Sequence, residues 1–190
     1  MTEIADRYRR RAELFESTVA GAPSERWEDQ SPCAEWTARD VVGHVVAMHA
    51  MMLRPLAREL SPAPAVGDDP LTAFRGARAD IEALLDDPDL AAIECDTPMG
   101  RMTVERHVDE VSSADLVIHR WDLARATGQD ETIDPAELGQ LWIEAQAIPE
   151  EMRIPNHFGE GIVVFGPVVD VPDDASTQDR LLGLLGRHPG

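Results

Sequence analysis

Residues 38–53, ARDVVGHVVAMHAMML, are apolar around most of a helix's circumference. A helix of that kind is stable only where other elements enclose it on several sides. Thr37 is placed to cap it, with Asp40 three residues on to serve the first-turn amides. The same stretch is too short to span a bilayer and carries two histidines, so it reads as a packed helix of a globular chain.

Those helices are legible as apolar residues recurring every three or four positions. Ile4, Tyr8, Ala12, Phe15 and Val19 form one stripe, stopped by Gly21–Pro23. Leu71, Phe74, Ala77, Ile81, Leu84 and Leu85 form another, opened by Asp69–Pro70 and closed by Asp86–Pro88. A fourth long helix is predicted from Thr103 to Thr127, with Gly128 as its C-cap. Shorter helices are expected at Pro135–Ala147 and Thr177–Leu185, a bend around Pro98 and Gly100, and a β-type run over 161–171. Four long helices in 190 residues make an all-α four-helix bundle with a short C-terminal extension the expected fold, as a single domain over 1–190.

The formal net charge of −19 argues against nucleic-acid or anionic-membrane partners. All 17 basic residues are arginine, which excludes Schiff-base chemistry on the protein and a P-loop lysine. Cys33 and Cys95 form no CxxC, and the N-terminus shows no apolar leader, so a cytoplasmic setting is expected. None of GxSxG, GxGxxG, HExxH or an EF-hand loop occurs.

The fourth helix carries a conflict. Asp115, His119 and Asp122 fall within its apolar stripe, alongside Val104, Val108, Val111, Ile118 and Ala126. A carboxylate there is costly unless it is paired or bound to a cation. Asp115 and His119 are four apart and converge on one point, which suits either a metal ion or an internal Asp–His hydrogen bond. A third ligand would come from the second helix, where His44 and His49 both sit among valines and methionines. Periodicity does not choose between them.

The stretches SPCAEWTARDVVGHVV, ADLVIHRWDLARATGQ and FGPVVDVPDDASTQDRLLGLLGR resemble actinobacterial proteins related to mycothiol-dependent maleylpyruvate isomerase, within the DinB-like superfamily of metal-binding four-helix bundles. The resemblance implies a divalent metal, zinc above all, held by His44 from VVGHVV and by Asp115 and His119 from ADLVIHRWD. Asp115 stands where the isomerase has glutamate, and the isomerase's separate C-terminal domain is not expected here. Two functions follow as expectations. One is a thiol-dependent transferase or isomerase acting on a small electrophilic substrate, with mycothiol as the co-substrate. The other is a non-catalytic metal-binding or ligand-sensing bundle. Asp122 is the candidate to orient His119, with a salt bridge to Arg125 as its alternative partner, and His49, Arg120 and Arg125 are candidate contacts for thiol or substrate. No general acid or base stands out beyond His49, and the oligomeric state, including a homodimer, is left open.

Overall fold

The computed structural model describes residues 2–97, 99–154 and 164–190. Its Cα packing divides the chain into two compact units, 1–131 and 132–190. No described helix is long and apolar enough to cross a membrane.

The first unit is a helical bundle. Helix α1 (Glu3–Gly21) starts where Thr2 Oγ1 accepts the Ala5 N–H, and it buries Ala5, Tyr8, Ala12, Phe15 and Val19 on one side. Helix α2 (Ala38–Leu53) opens on a reciprocal capping box. The Asp40 N–H donates to Thr37 Oγ1 at 3.2 Å, and the Thr37 N–H donates to Asp40 Oδ2 at 2.9 Å. Helix α3 (Pro70–Asp86) is capped by Asp69, with proline at its first position as the sequence predicts. A short α4 (Pro88–Ala91) leads into an antiparallel hairpin, β1 (Glu94–Thr97) and β2 (Gly100–Thr103), which pairs Cys95 with Met102. Pro98 at its tip lies outside the described residues.

The fourth long helix departs from a plain α-helix. It begins as α5 (Val104–His107), passes through a π-helical segment (Val108–Ser113), and resumes as α6 (Ala114–Thr127). The wider π turns reset the phase between its two halves. The residues of the expected stripe are buried all the same: Val104, Val108, Ile118 and Ala126 are enclosed, and Val111 packs against the core. In α6, Leu116, Val117, Ile118, Trp121, Leu123 and Ala124 are all buried, which encloses the helix on every side. It ends where Gly128 takes a left-handed φ of 73°, a conformation that costs glycine nothing.

Helix α1 packs on α3 and α6, and α2 packs on the same two, so the four close a ring around one core. This is the all-α four-helix bundle expected from the stripes. The second unit holds α7 (Pro135–Gln146) and α8 (Thr177–Leu184). Gly183 is required within it: a Cβ there would come within 2.7 Å of the Val169 carbonyl, whose own N–H donates to Gly183 O. Of the β-type run expected over 161–171, residues 161–163 lie outside the described ones and 164–171 form no strand. His157 also lies outside the described residues, and His188 is exposed.

Candidate metal centre

Helices α2 and α6 pack against each other in the ring, and between them they bring His44, Asp115 and His119 together. His44 Nε2 lies 3.3 Å from Asp115 Oδ2, and His119 Nε2 lies 3.1 Å from Asp115 Oδ1. One ligand atom from each of the three residues fits within 4.8 Å of the others. The His44 and Asp115 side chains are 28% and 23% exposed, so the cluster is open on one side. His119 is closed in at 5% exposure.

The loop before α2 supplies two further neighbours. The Trp36 ring lies 4.7 Å from the His44 ring and 5.9 Å from the His119 ring, walling one side of the cluster. Cys33 Sγ donates to Asp122 Oδ2 at 3.3 Å, and the same oxygen accepts His119 Nδ1–H at 2.9 Å. Gln30 fixes this loop, donating to the carbonyls of Ser31, Cys33 and Trp36. Neither Cys33 nor Trp36 belongs to a periodic stripe. The pointer to them in the sequence is the compact SPCAEW stretch directly before the helix that carries His44.

Electrostatics tie the cluster together. Burial works to raise the Asp115 carboxyl, but His119 and then His44 outweigh it and hold Asp115 well below the usual carboxylate range. Burial works to lower His119, but the Asp115 charge and hydrogen bonds to Asp115, Asp122 and Cys33 outweigh it and hold the ring well above its ordinary value. Both shifts run in the direction that favours an ion pair between the His119 ring and the carboxylates of Asp115 and Asp122. Asp115 Oδ2 is buried and accepts no hydrogen bond from a described residue, although His44 lies beside it. An oxygen left in that state fits a cation, and two imidazoles with a carboxylate are a donor set suited to zinc.

The structure separates the two histidines of α2. His49 is fully buried, and both of its nitrogens are engaged. Its Nδ1–H donates to the Val45 carbonyl at 2.7 Å, which leaves Nε2 to accept the Tyr8 hydroxyl at 2.8 Å. Burial pulls its pKa down to about 4, against a helping pull from the Val45 carbonyl and Asp115. The expectation of His49 as a substrate contact or general base is corrected accordingly, because the ring is sealed and its hydrogen bonds are complete. Asp122 is fully buried against His119, as an orienting carboxylate would be. Arg125 pairs with Glu131 at 3.0 Å and lies over the Trp121 ring, and Arg120 donates to the Asp130 carbonyl at 3.3 Å. The contacts described for Arg125 thus run to Trp121 and Glu131, and that for Arg120 to Asp130.

Residues 8–124 match the family described as the mycothiol maleylpyruvate isomerase N-terminal domain. Two uncharacterized proteins of Mycobacterium tuberculosis, from strains CDC 1551 / Oshkosh and H37Rv, are each 27% identical over 180 residues, covering 95% of both chains. Among solved structures, the chain is similar to a histidine-to-alanine mutant of the mycothiol-dependent maleylpyruvate isomerase. That match has a TM-score of 0.51 and 17% identity, and it covers 76% of this chain and 72% of the other. At that identity it establishes a shared DinB-like fold.

Proposed function

Since this chain belongs to the mycothiol maleylpyruvate isomerase N-terminal domain family, we propose that it binds a divalent metal through His44, Asp115 and His119 and acts with a low-molecular-weight thiol of the mycothiol type on a small electrophilic substrate, as a transferase or isomerase. The observation that carries this reading is the convergence of His44 Nε2, Asp115 and His119 Nε2 around a buried carboxylate oxygen that accepts no described hydrogen bond. Zinc is the ion that two imidazoles and a carboxylate suit best, with a further position left for solute. Such an ion supplies positive charge that favours thiolate over thiol.

The chain's own residues have separable roles in this reading. Asp122 accepts the His119 Nδ1–H, which fixes the ring's orientation and directs its Nε2 at the cluster. Trp36 shields one side from water and leaves the partly exposed His44–Asp115 edge as the approach for a small molecule.

The test is titration of cobalt-substituted protein with a small thiol. Thiolate entry adds an intense sulfur-to-metal charge-transfer band, and the apparent affinity rises with pH as the free thiol ionises. A cobalt spectrum that does not change at saturating thiol would eliminate the thiol-dependent reading and leave a bundle that holds its ion for stability or sequestration.

A further inference from the structure

His119 faces two donor sets, one for each ring nitrogen. Nε2 points to Asp115 and His44, and Nδ1 points to Asp122 and, behind it, Cys33. The second set has a ligand chemistry of its own. A thiol sulfur, a carboxylate oxygen and an imidazole nitrogen lie within 4.8 Å of one another. Asp122 is fully buried, His119 nearly so, and Cys33 is only partly covered, so the set can be reached from the thiol side.

We propose that Cys33 Sγ, Asp122 Oδ2 and His119 Nδ1 form a second cation site, for a thiophilic ion such as Cd²⁺ or Zn²⁺, and that the shared ring limits the chain to one ion in either place. A tetrahedral ion at ordinary bond lengths separates its sulfur, oxygen and nitrogen ligands by about 3 to 4 Å. The observed spacings are 3.3 Å for sulfur to oxygen and 2.9 Å for nitrogen to oxygen, so the donors need move only slightly apart. The two hydrogens that now hold the triad together, on Cys33 Sγ and on His119 Nδ1, are the two that the ion displaces. Thiolate and carboxylate together then balance its two positive charges. Soft thiolate selects soft cations, whereas the His44 set offers only nitrogen and oxygen.

The exclusivity follows from the ring. A neutral imidazole has one lone pair and one N–H. An ion on Nδ1 leaves the proton on Nε2, where Asp115 Oδ1 accepts it at 3.1 Å. An ion on Nε2 leaves the proton on Nδ1, where Asp122 Oδ2 accepts it at 2.9 Å. Each occupied state leaves the other set hydrogen-bonded and closed.

The experiment is titration of the metal-free full chain with Cd²⁺, reading the ultraviolet sulfur-to-cadmium charge-transfer band together with bound metal per chain. The wild type is expected to develop the band and saturate at one ion. Cys33→Ser loses the band and binds Cd²⁺ more than roughly tenfold more weakly. Cys95→Ser retains it. His44→Ala also retains it, since the second site does not use that residue, and Asp115→Asn serves if the alanine variant is poorly folded. A band that survives Cys33→Ser, or fails to form in the wild type, would overturn the site. A band lost in both His44→Ala and Asp115→Asn would mean that the thiol joins the ion at the first set, which also overturns it. Two ions per chain at saturation would overturn the exclusivity. None of these outcomes depends on thiol-linked turnover, so failure of the proposed function leaves this reading standing, and the reverse holds too.

Discussion

His44 and His49 stand five residues apart on α2, about 140° around its axis, and both sit among valines and methionines of that helix. One is sealed. His49 meets Tyr8 from α1 and the carbonyl of Val45, with Phe74 from α3 edge-on at 5.7 Å, and every polar atom of its ring is satisfied. The other is open. His44 has a carboxylate oxygen in front of it that nothing described donates to, an aromatic wall behind it, and a solvent-facing edge. The two share a helix and differ in what the opposite helices present: a hydroxyl and a ring in one case, a carboxylate and a second imidazole in the other. The role of a core histidine is therefore set across the bundle, not along its own helix.

The largest effect expected from this contrast is on metal content. His119→Ala protein should purify with near-zero divalent metal after saturation and desalting, since its ring serves both donor sets, and His44→Ala should keep only what the Cys33 set holds, while His49→Gln retains the wild-type amount. Elemental analysis of the three checks it, and full retention by both alanine variants would remove the metal centre.

Next in size is an acid effect centred on the sealed histidine, with His107, also held low by burial, adding in the same direction. Residue 49 has a pKa of about 4 in the fold, against 6.5 ordinarily. Between those values the unfolded chain takes up a proton at this residue and the folded chain does not, so stability falls as pH falls. The loss should approach roughly 3 kcal/mol by pH 4, at 1.36 kcal/mol per pKa step. The raised imidazole of His119 acts in the opposite sense near its ordinary value of 6.5, and the lowered carboxyl of Asp115 adds to the loss only as pH approaches its ordinary value of 3.8. Urea unfolding of wild type and His49→Gln at neutral and mildly acidic pH separates the contributions. A slope equally steep in the variant would assign the loss to other groups.

These contrasts also mark where the sequence stops being informative. The four stripes and their stop signals place α1, α2 and α3 within a residue or two of their observed ends, because capping and periodicity are local properties. The i,i+4 pair Asp115 and His119 is visible for the same reason. The π-helical segment is not, since one extra residue within VDEVSS leaves no periodic trace over so short a run. Cys33 meets Asp122 across 89 positions of sequence, from a loop with no period to read. The choice between His44 and His49 is likewise hidden from periodicity, because Tyr8, which closes His49, reads in α1 as one more core residue, and only the resemblance carried by VVGHVV singles out His44.

A smaller effect should follow at the open site. Asp122→Asn keeps the shape but weakens the acceptor for His119 Nδ1–H, and losses of this kind cost roughly 10- to 100-fold in metal affinity. Competition titration with a chromophoric chelator reads it. Unchanged affinity would show that the orientation of His119 is set by packing alone.

The smallest expected effect sharpens the comparison from the closed side. Tyr8→Phe removes one oxygen and leaves the ring packing of α1 intact, so the only group lost is the donor to His49 Nε2. That nitrogen then keeps a lone pair with no partner in a fully buried setting, at a cost of about 1 to 3 kcal/mol. The midpoint of urea unfolding should fall accordingly, with the slope of the transition unchanged, since the surface exposed on unfolding is the same. Metal affinity should stay at the wild-type value, because His44, Asp115 and His119 make no hydrogen bond to Tyr8 among the described contacts. Asp122→Asn is expected to alter the ion's affinity directly, and Tyr8→Phe is expected to alter only the fold. If Tyr8→Phe also weakened the ion's binding, the sealed and open histidines would be mechanically coupled through α2, and the division of labour drawn between them would fail.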